Sequence, residues 1–266
     1  MIGVKEFNHV AEIVSDAQKT VRFYMDILDA RVVREGYIPS SKTRSVYLQI
    51  GQGMIELLCS EDNENQTKGF GHIAFLTDQL DAVYERLKDQ YEFFAQPKPA
   101  GSGVGRLAFL YGPNREKVEF LERDDSFRQP PVKMNDTIVQ SFDHISINAQ
   151  NLERAKAFYI GALGLKELKT LTVAASQLEM AYVGMDQDTL ELSHAPSTTT
   201  AEPLITHIAF RVADVDLMHE RLKKYGVPVM AGFPKQAGTG IGRLLNFKDP
   251  DGMTIEIVDR KDVREL

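Results

Sequence analysis

The chain has 266 residues, 43% of them apolar and 26% charged, the make-up of an ordinary folded protein with room for two cores rather than of a disordered one. Against 31 basic side chains stand 38 acidic ones, a net charge of −7 that, with no local basic patch, speaks against a nucleic-acid partner. A single cysteine, Cys59, excludes an intrachain disulfide, and no apolar run reaches membrane-spanning length.

These features predict a cytoplasmic protein, monomer or homodimer, that acts on a small molecule. The opening MIGVKEFNHV enters a strand pattern at once, with no charged-then-apolar leader. The first strand lies in FNHVAEIV (7–14). A helix is expected in DAQKTVRFYMDIL (16–28), with Ser15 as N-cap and Val21, Tyr24, Met25 and Leu28 at helical spacing. Three strands return, including MIELLCS (54–60). GHIAFLTD (71–78) starts the same order again, with a helix within 78–90 and strands near 92–96, 105–110 and 116–122. RDDSFRQPPVKMND (123–136), charged and carrying paired prolines, reads as a linker.

The whole order then recurs. FDHISINA (142–149) repeats FNHVAEIV at an offset of 135 residues, and THIAFRVAD (206–214) repeats GHIAFLTD at the same offset. AKAFYIGALGLKEL (155–168) echoes VRFYMDILDARVV (21–33), and TLELSHA (189–195) echoes MIELLCS. VDLMHERLKKYG (215–226) is the fourth helix, closed by Gly226. GRLLNFKDPDGMTIEIVD (242–259) matches GRLAFLYGPNREKVEFLE (105–122). We therefore expect an N-terminal domain over 1–123, a linker over 124–139 and a C-terminal domain over 140–266, built from one β-α-β-β-β unit used four times.

Strand parity sorts the side chains that carry chemistry. In DHISINA, His144, Ser146 and Asn148 share one face while Ile145, Ile147 and Ala149 share the other. His9, His72 and His207 occupy the equivalent places in their own strands. Each is followed by a glutamate flanked by apolar neighbours: Glu56 in MIELL, Glu119 in KVEFLE, Glu191 in TLELS and Glu256 in TIEIV. The separation is 47 residues for His9–Glu56, His72–Glu119 and His144–Glu191, and 49 for His207–Glu256. The two additional residues fall before Arg243. An acid between apolar strand residues is costly to bury without a partner. Two imidazoles and two carboxylates facing one cavity form a divalent-metal site, suited to Zn, Ni, Co, Mn or Fe.

The pieces NHVAEIV, FYMDIL or FYIGALGL, IELL or LELS, GHIAF or THIAF, and FKDPDGMTIEIVD resemble the vicinal-oxygen-chelate superfamily, which includes glyoxalase I, epimerases, extradiol dioxygenases and bleomycin-binding proteins. The resemblance implies an α+β fold in which four βαβββ modules form two tandem glyoxalase-like domains with cup-shaped mixed sheets. It implies metal ligands His9, Glu56, His72 and Glu119 in the first copy and His144, Glu191, His207 and Glu256 in the second. In this family modules pair within a domain or are exchanged, so His9 and Glu56 could instead join His207 and Glu256. The first copy also departs from pattern in the turn before Glu119, where YGPNRE stands in place of KDPDGM.

Four protein ligands on a six-coordinate ion leave two positions, which suits chelation of two neighbouring substrate oxygens. Extradiol cleavage needs a third for dioxygen, and its His and Tyr ahead of the last acid are missing from GIGRLLNFKDPDGMTIE. The favoured expectation is a glyoxalase- or epimerase-type lyase or isomerase that abstracts a proton next to a carbonyl through an enediolate. By resemblance Glu119 and Glu256 are the principal bases, with Glu56 and Glu191 as opposing ligands that also shuttle protons. Arg106 and Arg243 are candidate holders of a substrate anion. A dioxygenase, a non-catalytic drug-binding protein and a protein with one lapsed copy are the alternatives. His194 is expected in a loop and His219 on a solvated helix face. The glycines of AGSGVGR and GTGIGR lack the lysine and hydroxyl of a phosphate loop. SEDNENQTKG and the region 170–180 are expected to shape the cavity.

Overall fold

The computed structural model describes residues 3–62, 64, 66–131, 137–196 and 204–265. The first repeat runs β1 (Val4–Ile13), α1 (Ala17–Leu28), β2 (Arg31–Ile38), β3 (Thr43–Ile50) and β4 (Gly53–Ser60). It continues with β5 (Gly69–Thr77), α2 (Leu80–Leu87), β6 (Phe93–Pro99), β7 (Arg106–Tyr111) and β8 (Lys117–Glu122). The second repeat runs β9 (Val139–Asn148), α3 (Leu152–Lys156), β10 (Lys166–Val173), β11 (Leu178–Met185) and β12 (Asp188–His194), and α3 continues as a π-turn through Ala157–Ala162. Its second half holds β13 (Ile205–Val212), α4 (Val215–Lys224), β14 (Lys235–Gln236), β15 (Arg243–Lys248) and β16 (Thr254–Val258).

Each repeat closes into one eight-stranded mixed sheet, in the orders β2-β3-β4-β1-β5-β8-β7-β6 and β10-β11-β12-β9-β13-β16-β15-β14. The joints are antiparallel, β1 to β5 and β9 to β13, whereas β1–β4, β5–β8, β12–β9 and β13–β16 pair in parallel. The two modules of each sheet thus come from one repeat. The exchanged grouping is not the one adopted.

Local chemistry explains the elements. Asp16, not Ser15, caps α1: its carboxylate accepts from the backbone N–H groups of Gln18 and Lys19 at 2.9 and 3.0 Å. Thr20, Tyr24, Ile27 and Leu28 recur at helical spacing and form the buried face of that helix. On the sheets, Val10, Ile55, Ile73, Phe75, Val118 and Phe120 alternate with the histidines and glutamates and join the apolar core under the helices. That core is continuous across both repeats. Gly53 is required where they meet, because a Cβ there would lie 2.2 Å from Cδ2 of Phe142.

The segment after β8 is no free tether. Arg128 donates to Glu6, to the carbonyls of Gln52 and Phe7, and to Asp188 of the second repeat. Residues 132–136 of the expected linker lie outside the described residues.

The two additional residues of the last module fall between α4 and β15. There the seven-residue edge strand β6 of the first repeat is replaced by the two-residue β14.

Candidate metal centre

β1, β4, β5 and β8 bring His9, Glu56, His72 and Glu119 to one spot on the concave face. His9 Nε2 lies 3.3 Å from His72 Nε2, 3.2 Å from Glu56 Oε2 and 3.6 Å from Glu119 Oε2, and His72 Nε2 lies 3.1 Å from Glu119 Oε2. The second repeat reproduces the cluster. His144 Nε2 is 3.1 Å from His207 Nε2 and 3.5 Å from Glu191 Oε2, while His207 Nε2 is 3.9 Å from Glu256 Oε1. All eight sequence-predicted donors therefore gather, four per sheet.

The hydrogen bonds behind the rings decide what the facing nitrogens can do. Nδ1 of His144 meets the Asp143 carboxylate at 2.7 Å. An ionised carboxylate only accepts, so that nitrogen carries the proton and Nε2 presents a lone pair to the cluster. Nδ1 of His9 meets Asn8 Oδ1 at 2.9 Å, with the same consequence when that atom is the carbonyl oxygen. The lone pair of the first histidine, the facing ring nitrogen 3.3 or 3.1 Å away and two carboxylates make up a donor set that a divalent cation fits.

The acids are braced as well. Glu56 accepts from Ser45 Oγ at 2.6 Å, and Glu191 accepts from Ser146 Oγ at 2.9 Å and Tyr182 Oη at 2.5 Å. Burial pushes the Glu56 carboxyl up, but the His9 bond, the charges of His9 and His72 and the Ser45 hydroxyl outweigh it and bring it down to about 2. Glu191 is lowered in the same way: burial is overcome by His144, His207, Tyr182 and Ser146. For Asp143, burial is overcome by the bond and charge of His144 and by Arg260 and Arg211, which hold it well below the usual carboxylate range. Burial keeps the Tyr182 hydroxyl protonated far above its ordinary range.

The repeated pattern pointed to the eight donors but not to their supports. Asn8 and Asp143 stand directly before the first histidine in FNHV and FDHI. Tyr47 and Tyr182 are 135 residues apart, and Arg123 and Arg260 follow the last strand of each repeat. Tyr47 packs edge-on against His9 at 5.2 Å, as Tyr182 does against His144 at 5.6 Å. Arg123 donates to Asn8 Oδ1 at 2.8 Å and Arg260 to Asp143 Oδ1 at 2.6 Å. The 135-residue offset pairs Asn8 with Asp143 and Tyr47 with Tyr182, while Arg123 and Arg260 lie 137 apart, beyond the two additional residues.

Arg106 and Arg243 are not brought to the cups. Each guanidinium is clamped by an acid in the first turn of a helix, Arg106 by Asp81 at 2.7 and 2.9 Å and Arg243 by Asp216 at 2.7 and 2.8 Å. Among the described residues, the cation that lines the second cup is Arg260. His194 ends strand β12 rather than lying in a loop, with Nδ1 2.8 Å from the carbonyl of Ala149, and His219 is half-buried on α4. Val173, Ser176, Leu178 and Met180, from or beside the expected 170–180 region, do line the second cup. From SEDNENQTKG, Thr67, Lys68 and Gly69 instead line a crevice between the repeats, and residues 63 and 65 lie outside the described residues.

Comparison with known proteins shows the family and the fold. The family model described as Glyoxalase/Bleomycin resistance protein/Dioxygenase superfamily matches residues 6–120 and again 141–257. A lactoylglutathione lyase of Arabidopsis thaliana is 24% identical over 98% of this chain and 94% of its own length. Among solved structures, the 2,3-dioxygenase LapB from Pseudomonas superposes with a TM-score of 0.70 at 16% identity, over 97% of this chain and 93% of that one. A Mn(II)-bound glyoxalase from Novosphingobium aromaticivorans gives 0.67 at 17% identity, over 98% and 84%.

Proposed function

The chain belongs to the Glyoxalase/Bleomycin resistance protein/Dioxygenase superfamily, and we propose that it is a divalent-metal-dependent lyase of the glyoxalase I kind. Its substrate is a small molecule with two neighbouring oxygens, and the step is transfer of a proton on the carbon next to a carbonyl. The observation that carries this reading is the pair of two-histidine, two-glutamate clusters with ring nitrogens and carboxylates turned to one spot. A relative that it spans nearly end to end is named a lactoylglutathione lyase.

His9, Glu56, His72 and Glu119 would hold one ion and His144, Glu191, His207 and Glu256 the other. Such an ion supplies Lewis acidity, which polarises the substrate oxygens and makes the neighbouring C–H acidic. The nitrogen and oxygen donor set suits Zn, Ni, Co, Mn or ferrous iron.

Within each cluster the two acids differ. Glu191 is held at both oxygens, by Ser146 and Tyr182. Glu256 meets His207 at 3.9 Å and, among the described residues, takes no hydrogen bond. Glu191 is thus the anchored ligand, and Glu256 is free to take the proton from one carbon and return it to the next. In the first cluster Glu56, held by Ser45, takes the anchored place, and Glu119, 3.1 Å from His72, stands where Glu256 does. A single cysteine fits a reducing cytoplasm.

The test is turnover of a hemithioacetal, formed from a 2-oxoaldehyde and a thiol, by metal-loaded protein. Wild type converts it, while Glu256→Gln retains metal and loses turnover. Cleavage of a catechol with no action on hemithioacetals would replace this reading with the dioxygenase.

A further inference from the structure

We propose that the residue facing the last acid of each cup decides where substrate binds: Asn246 leaves the second cup open, and Phe109 closes the first. This rests on the metal-dependent reading above.

The two residues hold the same register position. Phe109 on β7 pairs with Glu119, and Asn246 on β15 pairs with Glu256, so each side chain lies on the same face as its acid. The Phe109 ring stands edge-on to His72 with centroids 5.2 Å apart and planes at 87°. Phe94 on β6 stacks behind it at 5.4 Å. Among the described residues the second repeat has no counterpart to that backing, because β14 is cut to two residues and the chain there runs as a loop.

The consequence shows in exposure. His72 and Glu119 side chains are 9% and 6% exposed, against 18% and 14% for His207 and Glu256. Glu56 and Glu191, on the far side of each cluster, are alike at 9% and 8%. The asymmetry is therefore confined to the side where Phe109 and Asn246 stand.

A cavity of about 260 Å³ reaches Glu191, His207 and Glu256 in the second cup. Its wall includes Val173, Leu178, Met180 and Leu244, which suits a chelating substrate with an apolar body. Asn246, two residues beyond Leu244 on the same strand face, stands opposite Glu256 where the first cup has the Phe109 ring.

The experiment loads the full chain with Co²⁺ and titrates benzohydroxamate, a chelator with two neighbouring oxygens and a phenyl body, while following the cobalt absorption bands. In wild type half of the cobalt signal shifts. Asn246→Phe removes that shift, and Phe109→Asn adds the missing half. Equal response from both cups in wild type, or a response indifferent to Asn246, overturns this inference and leaves the metal reading standing. Failure to take up cobalt at all overturns both.

Discussion

Asn114 and Asp251 hold the same turn position in the two repeats, and each reaches across to the other repeat. Asn114 Oδ1 accepts from the backbone N–H of Gln150 at 3.0 Å, and Asp251 Oδ1 accepts from that of Ser15 at 2.8 Å. Ser15 and Gln150 are themselves 135 residues apart. The irregular YGPNRE is thus a docking turn. Its Glu116 accepts from the buried Tyr159 hydroxyl at 2.7 Å and from the backbone N–H of Asn114 at 2.8 Å.

Glu116→Ala leaves the Tyr159 hydroxyl buried without an acceptor. Such an orphan costs about 1–3 kcal/mol, so the urea midpoint should fall while the metal content stays unchanged. Tyr159→Phe combined with Glu116→Ala should recover part of the loss, since both partners are then gone. A double variant no more stable than Glu116→Ala alone would show that this bond does not hold the turn.

A buried acid pair makes the same boundary sensitive to pH. Asp249 Oδ2 and Glu12 Oε2 are both buried without a hydrogen-bond partner. Burial, reinforced by Asp251, raises Asp249 to about 6 against its backbone hydrogen bonds. Burial and then Asp249 raise Glu12, while the Tyr24 hydroxyl works the other way. An acid raised on folding contributes stability below its unfolded value and loses it as pH rises through the folded one. The window for Asp249 therefore runs from about pH 4 to pH 6, and the loss above it is about 3 kcal/mol. Asp249→Asn keeps the Oδ1 acceptor and removes the charge. It should melt higher than wild type at pH 8, with the gap about halved at pH 5 and closed below about pH 4; a full gap that persists below about pH 4 would remove the charge as the cause.

Packing at the boundary gives a third expectation. A Cβ at Gly53 would fall within 2.2–2.5 Å of three Phe142 side-chain atoms, and Phe142 is itself buried among the core of both repeats. Gly53→Ala should destabilise by about 1–3 kcal/mol through overpacking. Phe142→Leu in the same chain should relieve part of that loss. Additive losses in a denaturation series would argue that the two residues do not touch.

The fold and the donors were legible because periodicity and repetition report on them directly. Alternation placed each histidine and glutamate on one strand face, and the 135-residue offset aligned the four modules. The supports were less legible for a physical reason: Asn8, Tyr47 and Arg123 act through neighbours brought together only by strand register. The placing of Arg106 and Arg243 failed because a repeated arginine on a strand is equally well explained by a clamp onto a helix. Asp81 and Asp216, in the first turns of α2 and α4, are that clamp. The pairing of modules was open because the same His–Glu spacing serves either grouping. The β1–β5 and β9–β13 joints decide it.

The two clusters differ most behind their first histidine, where the second has the carboxylate of Asp143 and the first the amide of Asn8. A carboxylate on the far nitrogen makes the imidazole a stronger donor and fixes its tautomer, and loss of such a partner typically costs about 10–100-fold in metal affinity. Asp143→Asn should therefore weaken one of two sites in a competitive chelator titration and leave the other unchanged. Asn8→Asp should tighten the first site, because Arg123, 2.8 Å from Asn8 Oδ1, is already placed to balance the new charge as Arg260 balances Asp143. A single shared shift of both sites, or no shift in either variant, would mean that the flanking residue does not tune the imidazole.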